Sequence, residues 1–294
     1  MNAAIERLDR RCLADIVRQF SGVTVAVLGD PMLDYYHFGH CDRLSPEAPV
    51  PVFVEDKIDL RDGGAGNVLQ NLHALGSRPV PIFPPPPYTM KHRYLVGAQQ
   101  LFRIDRDRDH SKQVRPDVPP QGAPGLEDAQ ALVISDYGKG WCTTERCGAY
   151  IAQARALDIP VIVDPKGTDW LKYVGATVIC PNEREWEAVN LWQPKDTVIV
   201  AKHGSKGIAV VRHDGEAQTA RLFPACARHV FDVTGAGDTV VAVLAAALAV
   251  RCEIETAAEL ANIAAGIVVG EVGTTPCSAH VLLRELELTP AAAR

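Results

Sequence analysis

The run Phe231-Asp232-Val233-Thr234-Gly235-Ala236-Gly237-Asp238-Thr239, followed by the Ala-rich apolar residues 240–250, decides how this chain is read. The second part holds no Gly or Pro and many strong helix formers, which predicts a buried helix. The first part reads as the loop that opens it. Gly235 and Gly237 allow a tight turn and leave room for something to approach the backbone. Unpaired N–H groups at a helix start, with the positive end of the dipole, form an anion site. Asp238 then falls in the first turn, beside that site. A carboxylate repels a phosphate, so its placement makes chemical sense if a hydroxyl must lose its proton as it attacks phosphorus. The plainer account is a glycine-rich cap with an Asp that favours a helix N-terminus.

A length of 294 residues holds one large α/β domain or two small ones, and the 47% apolar fraction is ample for a core. The net charge of −6 argues against general nucleic-acid binding. The eight cysteines are scattered with no Cys-x-x-Cys pair, which argues against a disulfide framework or a zinc site. Residues 1–20 are amphipathic and charged rather than a signal peptide, and the longest apolar run is too short to span a bilayer. The expectation is a cytoplasmic protein with no membrane partner.

Along the chain, residues 5–20 read as a surface helix and Val23-Thr24-Val25-Ala26-Val27-Leu28 as a buried strand ending at Gly29-Asp30. Residues 131–135 form a strand ending in Asp136-Tyr137-Gly138-Lys139-Gly140, before a helix at 144–157. Val161-Ile162-Val163 ends in Asp164-Pro165-Lys166-Gly167, and residues 177–180 end in Pro181-Asn182-Glu183-Arg184-Glu185. Three strands that each end in acids, lysine or amide predict a site along one edge of a parallel sheet. Residues 197–200 and 208–212 read as further strands, and 257–269 as a helix of small residues. Residues 106–125 read as a loop, and 79–87, with prolines at 84–87, as an extended linker. Asp34-Tyr35-Tyr36-His37-Phe38-Gly39-His40 fits the Asp-x-x-His-x-Gly-His motif of nucleotidyltransferases, but the proline-rich residues 43–52 do not supply the helix that motif requires.

The Gly-Ala-Gly-Asp run resembles the C-terminal signature of the ribokinase-like (PfkB) sugar kinases. No Walker loop is present, so P-loop kinases are not the pattern. Gly29-Asp30-Pro31-Met32-Leu33-Asp34, Ser45-Pro46-Glu47-Ala48-Pro49-Val50-Pro51, Lys91-His92-Arg93-Tyr94, Ser135-Asp136-Tyr137 and Asp164-Pro165-Lys166-Gly167 resemble the heptose 7-phosphate kinase branch. The resemblance runs from about residue 23 to 275. It implies one domain over 1–294, an α/β three-layer αβα sandwich with a mostly parallel central sheet and a small β lid. The lid is expected at about 35–62 and 88–106, including strands within 43–52, and to pair with a second subunit's lid in a homodimer.

The resemblance further implies phosphoryl transfer from ATP to a sugar phosphate. Asp238 would be the base, and Gly235, Ala236 and Gly237 the anion hole. Asp30, Gly64, Asn67 and Asp136 would serve the sugar, while Arg43, Arg93, Arg103 and Lys166 would hold its remote phosphate. Asn182, Lys202, Gly204, Gly207 and Asn262 would face the nucleotide. Glu185 would act on Mg²⁺ through water, and whether a monovalent cation (K⁺) sits near Asp232 is left open by the sequence. The chain departs from the family in two shortened units, near 79–88 and 190–197, and in Lys202, which replaces the usual Thr. Those departures motivate the alternative of a sugar-phosphate or nucleotide binder without catalysis.

Overall fold

The computed structural model describes residues 9–111, 125–189, 196–214, 217–227, 230–271 and 274–288. Parts of the expected first helix, of the loop at 106–125 and of the shortened unit at 190–197 lie outside the described residues. In chain order the elements begin with α1 (Arg10–Arg18), β1 (Thr24–Gly29), β2 (Pro31–His40), β3 (Val54–Gly64), α2 (Ala65–Ala74) and β4 (Arg78–Ile82). There follow β5 (Thr89–Val96), β6 (Gln99–Arg106), β7 (Ala131–Ser135), α3 (Thr144–Ala156), β8 (Val161–Asp164), β9 (Val178–Ile179) and α4 (Glu183–Ala188). The last are β10 (Val198–Lys202), β11 (Ile208–Asp214), β12 (Ala217–Phe223), α5 (Ala236–Ala249), α6 (Ile254–Val268) and α7 (Ala279–Leu288).

Eight strands form the main sheet in the order β12-β11-β10-β9-β8-β7-β1-β4. From β10 to β4 every pairing is parallel, and only β11 runs against the rest, pairing antiparallel with β10 on one side and β12 on the other. Because side chains alternate along a strand, each strand feeds two layers. Val25 and Val27 belong to the core shared with α1, α2, α5, α6 and α7, whereas Ala26 and Leu28 belong to the core shared with α3 and the Trp170–Tyr173 turn. That is the expected three-layer αβα sandwich. The Ala-rich sequence of α5 is buried along nearly its whole length because it is the central helix of its layer.

The expected linker at 79–87 is partly a strand: β4 pairs with β1 at the sheet edge. Arg78 N–H donates to Val23 O, so the alternation points the nitrogens of Pro79 and Pro81 away from β1. Proline is tolerated at such an edge because no ladder donor is lost, and it blocks a further strand from adding. The shortened unit therefore ends the sheet rather than breaking it.

The lid is a second sheet, ordered β3-β2-β5-β6. It starts at Pro31, earlier than expected, and residues 43–52 form a loop with a single Leu44–Pro51 bridge rather than strands. Pro46, Pro49 and Pro51 cannot donate ladder hydrogen bonds, which accounts for the loop. His37 and His40 sit in β2 with no helix after them, which removes the nucleotidyltransferase reading. No described helix is long and apolar enough to cross a membrane.

Candidate active site

Gly235 caps α5 in the left-handed region (φ 83°), which is why glycine is needed there. A side chain at Gly235 would also lie 2.8 Å from the Asn67 amide nitrogen. The α5 ladder begins with Thr239 N–H donating to Gly235 O, and Ala236 N–H turns back to Val233 O at 3.3 Å. Of the expected anion-hole donors, Ala236 is thus committed to the turn. The first-turn N–H of Gly237 precedes the ladder and carries the positive end of the helix dipole.

Asp238 is buried one residue further on. Its Oδ2 accepts from Asn67 Nδ2 at 2.7 Å and its Oδ1 from the Tyr137 hydroxyl at 2.6 Å. Asn67 is itself fixed by α2: Asn71 Nδ2 donates to its carbonyl, and Asn71 Oδ1 accepts from Thr239. Burial raises the Asp238 pKa to about 6, helped by the nearby Asp164 carboxylate and opposed by Tyr137, Asn67 and Lys202. A carboxylate poised one unit below neutrality suits a general base.

Asp30 and Asp136 lie elsewhere than expected. Asp30 is fully buried, and its carboxylate accepts the backbone N–H groups of Tyr137, Lys139 and Trp141 at 3.0 to 3.2 Å. Asp136 accepts from Gly138 N–H at 2.7 Å, the Tyr173 hydroxyl at 2.6 Å and the Lys172 ammonium. Both carboxylates are anchors for the loop after β7. Each accepts three hydrogen bonds from the protein and is buried, which leaves little of either carboxylate for a sugar. A strand-end acid in this sheet holds the loop that carries Tyr137, a residue the sequence reading passed over.

On one side of Asp238 lies a cleft of about 450 Å³, within the range of small-ligand sites. Gly237, Lys202, Asn182, Glu185, Gly204, Gly207 and Asn262 all line it. Lys202 Nζ pairs with Asp164 Oδ1 at 2.5 Å and lies 3.4 Å from where a Gly237 side chain would begin. Burial works most strongly against the lysine's charge, but Asp164, Cys180 and Glu185 together outweigh it and hold the pKa above the ordinary value. Lys202 therefore places a fixed cation beside the anion site without closing it. Asn182 and Glu185 form a reciprocal capping box on α4, so Glu185 Oε2 is occupied by the Asn182 N–H. Glu185 Oε1 pairs with Lys166 Nζ at 3.3 Å. This puts Lys166 in the wall of the same cleft as Glu185, away from the lid, and corrects its expected place with the arginines. Asn262 Nδ2 donates to Pro224 O at 2.7 Å and so holds the 224–227 wall of the cleft.

On the other side stands the inner face of the lid. Alternation and register place Asp34, Tyr36, Arg61, Lys91, Arg93 and Arg103 on that face. Arg93 pairs with the buried Asp34 at 2.5 Å, which keeps the guanidinium charged despite burial. The guanidinium groups of Arg61 and Arg93 lie 4.9 and 5.1 Å from the centre of the Tyr36 ring. Burial lowers the pKa of Lys91. Arg103 is exposed and bound to Asp105, and Arg43 is exposed in the 43–52 loop. Of the three expected arginines, the structure brings only Arg93 to a half-buried position here, and adds the half-buried Arg61 and Lys91. Gly64 caps α2 against the Asp30 carbonyl, while a side chain at Gly63 would collide with Asp34.

Residues 96–280 match the pfkB family carbohydrate kinase profile, more than half of the chain. The chain belongs to the PfkB carbohydrate kinase family. That makes it an ATP-dependent carbohydrate kinase. It is 39% identical over 316 residues to the "Bifunctional protein HldE" of Hahella chejuensis, covering 94% of this chain and 66% of that protein. With the protein of the same name from Methylobacillus flagellatus the identity is 38% over 336 residues, covering 97% and 68%. The chain thus spans about two thirds of the length of these curated relatives. In fold it is similar to Arabidopsis thaliana ribokinase complexed with ribose and ATP (TM-score 0.65, 17% identity, 92% of this chain and 100% of that one). Escherichia coli phosphofructokinase-2 in complex with potassium gives a TM-score of 0.64 at 17% identity, covering 90% and 99%.

Proposed function

We propose that this kinase phosphorylates the C1 hydroxyl of D-glycero-β-D-manno-heptose 7-phosphate, giving the 1,7-bisphosphate and ADP. One observation carries the reading. The buried Asp238 stands between a lysine-lined anion cleft and a lid face bearing Arg61, Lys91 and Arg93. A sugar that already carries a phosphate gives those cations a partner, and Arg suits bidentate contact with phosphate. The likeness to the HldE relatives over nearly the whole chain supports the same substrate.

In this reading the terminal phosphate of ATP lies against the first turn of α5 and Lys202. The sugar hydroxyl reaches Asp238 from the lid side. Asp238 accepts its proton as the new O–P bond forms and the bond to ADP breaks. Phosphoryl transfer depends mostly on positioning and charge neutralisation, which Gly237 N–H and Lys202 supply. A magnesium ion, when bound, offsets charge on the ATP phosphates. Glu185 fits an outer-sphere role, since both of its oxygens are engaged by Asn182 and Lys166. A potassium ion near Asp232 would meet a carboxylate whose Oδ1 already accepts the Thr234 N–H at 2.9 Å.

The outer lid face favours a homodimer. Leu60 (56% exposed) and Phe102 (47%) share it with Ile58 and Ile104, over a stack of Tyr35, His37, His92 and Tyr94. A second lid would cover this apolar face. The substrate is tested by ADP release with MgATP and heptose 7-phosphate, beside fructose 6-phosphate and ribose, with Asp238→Asn as control. Heptose-dependent turnover lost in the variant is the expected result. Faster turnover on another sugar would overturn the assignment. No turnover on any, with binding seen by calorimetry, would favour a binding protein.

A further inference from the structure

Tyr137 stands out as a side chain whose contacts serve the site rather than the core. The main chain of its loop is clamped at both ends. Asp30 accepts three N–H groups from residues 137, 139 and 141, and Asp136 accepts a fourth from residue 138. Two buried carboxylates spent on one short loop are a large cost for an ordinary turn, even though Asp136 also pairs with Lys172 and Tyr173. Gly138, at φ 66°, reverses the chain just after the tyrosine. The ring packs beside Gly64, where a side chain would begin 3.5 Å from Tyr137 Cδ2. All of this delivers one phenolic hydroxyl to Asp238 Oδ1 at 2.6 Å.

We infer that Tyr137 is the positioning residue of the catalytic base, holding the Asp238 carboxylate ionised and turned so that an oxygen lone pair faces the acceptor hydroxyl. The inference rests on the proposed role of Asp238. A carboxylate has about four acceptor positions, and Asn67 and Tyr137 together fill two. They fix one oxygen each, which removes rotation about the carboxyl group and leaves lone pairs free for the sugar hydroxyl. A charge-assisted hydrogen bond to the ionised form also opposes the effect of burial. The charged and titratable groups around Asp238 are Asp164 from the end of β8, Lys202 from the end of β10 and Tyr137 itself, with the neutral Asn67 from α2. Of these only Tyr137 and Asn67 donate directly to the carboxylate. Burial and the Asp238 charge push the Tyr137 pKa well up, so the phenol stays a donor throughout the working range.

The test compares wild type, Tyr137→Phe and a form with 3-fluorotyrosine at position 137. Two quantities are read: the acid limb of kcat, and the titration of the Asp238 carboxyl carbon by NMR, which needs no turnover. Removing the phenol should move both midpoints up by about one pH unit, the size of one charge-assisted hydrogen bond. The rate at pH 6 should then fall several-fold, while at pH 8.5 it recovers towards wild type. The fluorinated ring, a stronger donor, should move both midpoints down. A purely structural tyrosine would give a uniform loss at every pH and no opposite shift with fluorine, and either result overturns the inference. Failure of the underlying assignment looks different: Asp238→Asn would keep its turnover whatever residue 137 is.

Discussion

The acid limb of the rate is the sharpest consequence of where Asp238 sits. With a pKa of about 6, the carboxylate is about 90% ionised at pH 7 and about 10% at pH 5. The rate should therefore fall roughly tenfold across those two units, whereas an ordinary aspartate would lose less than a tenth. The stability consequence has a definite sign. The folded pKa lies above the ordinary aspartate value of 3.8, so the ionised form is disfavoured in the folded chain. That penalty is on the order of 3 kcal/mol and is fully present above about pH 6. It shrinks as pH falls from about 6 towards 3.8 and is absent below. Asp238→Asn should thus abolish most activity, by ~10²–10⁴-fold, while making the protein more stable at pH 8. The gain will be less than the full penalty, because the amide disturbs the Asn67 and Tyr137 hydrogen bonds. Phosphorus NMR at saturating sugar from pH 4.5 to 8.5 measures the rate, and urea melts of both proteins measure the stability. The sugar phosphate also titrates near pH 6, so the Asp238 carboxyl resonance is followed alongside. An acid limb at or below pH 4.5 would refute the reasoning. So would a stability difference that does not shrink towards pH 4.

Three further outcomes follow from the same contacts. Lys202→Thr should lower kcat and cost about 3–5 kcal/mol, because it strands Asp164 in a buried site; adding Asp164→Asn should restore the melting point but not kcat. Arg93→Ala should raise KM for the sugar phosphate by at least about tenfold and leave KM for ATP unchanged, while Arg103→Ala changes either by less than about twofold; steady-state kinetics on both substrates decides. Leu60→Asp should convert dimer to monomer in sedimentation velocity, and a variant that sediments as wild type would locate any dimer elsewhere.

The α/β layers were readable because each parallel strand is a short apolar run that stops at a polar cluster, as at Asp30, Asp136, Asp164 and Asn182. Asp238 was readable because glycine, acid and helix start are adjacent in the chain. The strand β12 and helix α7 passed unnoticed, since β12 has adjacent polar residues at 218 and 219 that break a clean alternation and α7 follows the signature region. Partners across the site were not readable either. Tyr137 meets Asp238 only because Asp30, more than 100 residues earlier, holds its loop. An aromatic residue inside Asp136-Tyr137-Gly138-Lys139-Gly140 was the available signal. Asp34 and Arg61 depend on which lid face turns inward, which the strict alternation of Met32, Asp34 and Tyr36 hinted at. Lys166 looked like a sugar ligand because motif order says nothing about which side of β8 its loop turns to.

The most direct test of the central claim is a phosphorus NMR spectrum of the purified protein with MgATP and heptose 7-phosphate, beside the Asp238→Asn protein. ADP resonances together with a second sugar phosphate signal coupled to the anomeric proton are predicted, with neither appearing in the variant. A spectrum in which ATP and heptose 7-phosphate persist unchanged, or in which Asp238→Asn gives the same product at the same rate, would contradict the account.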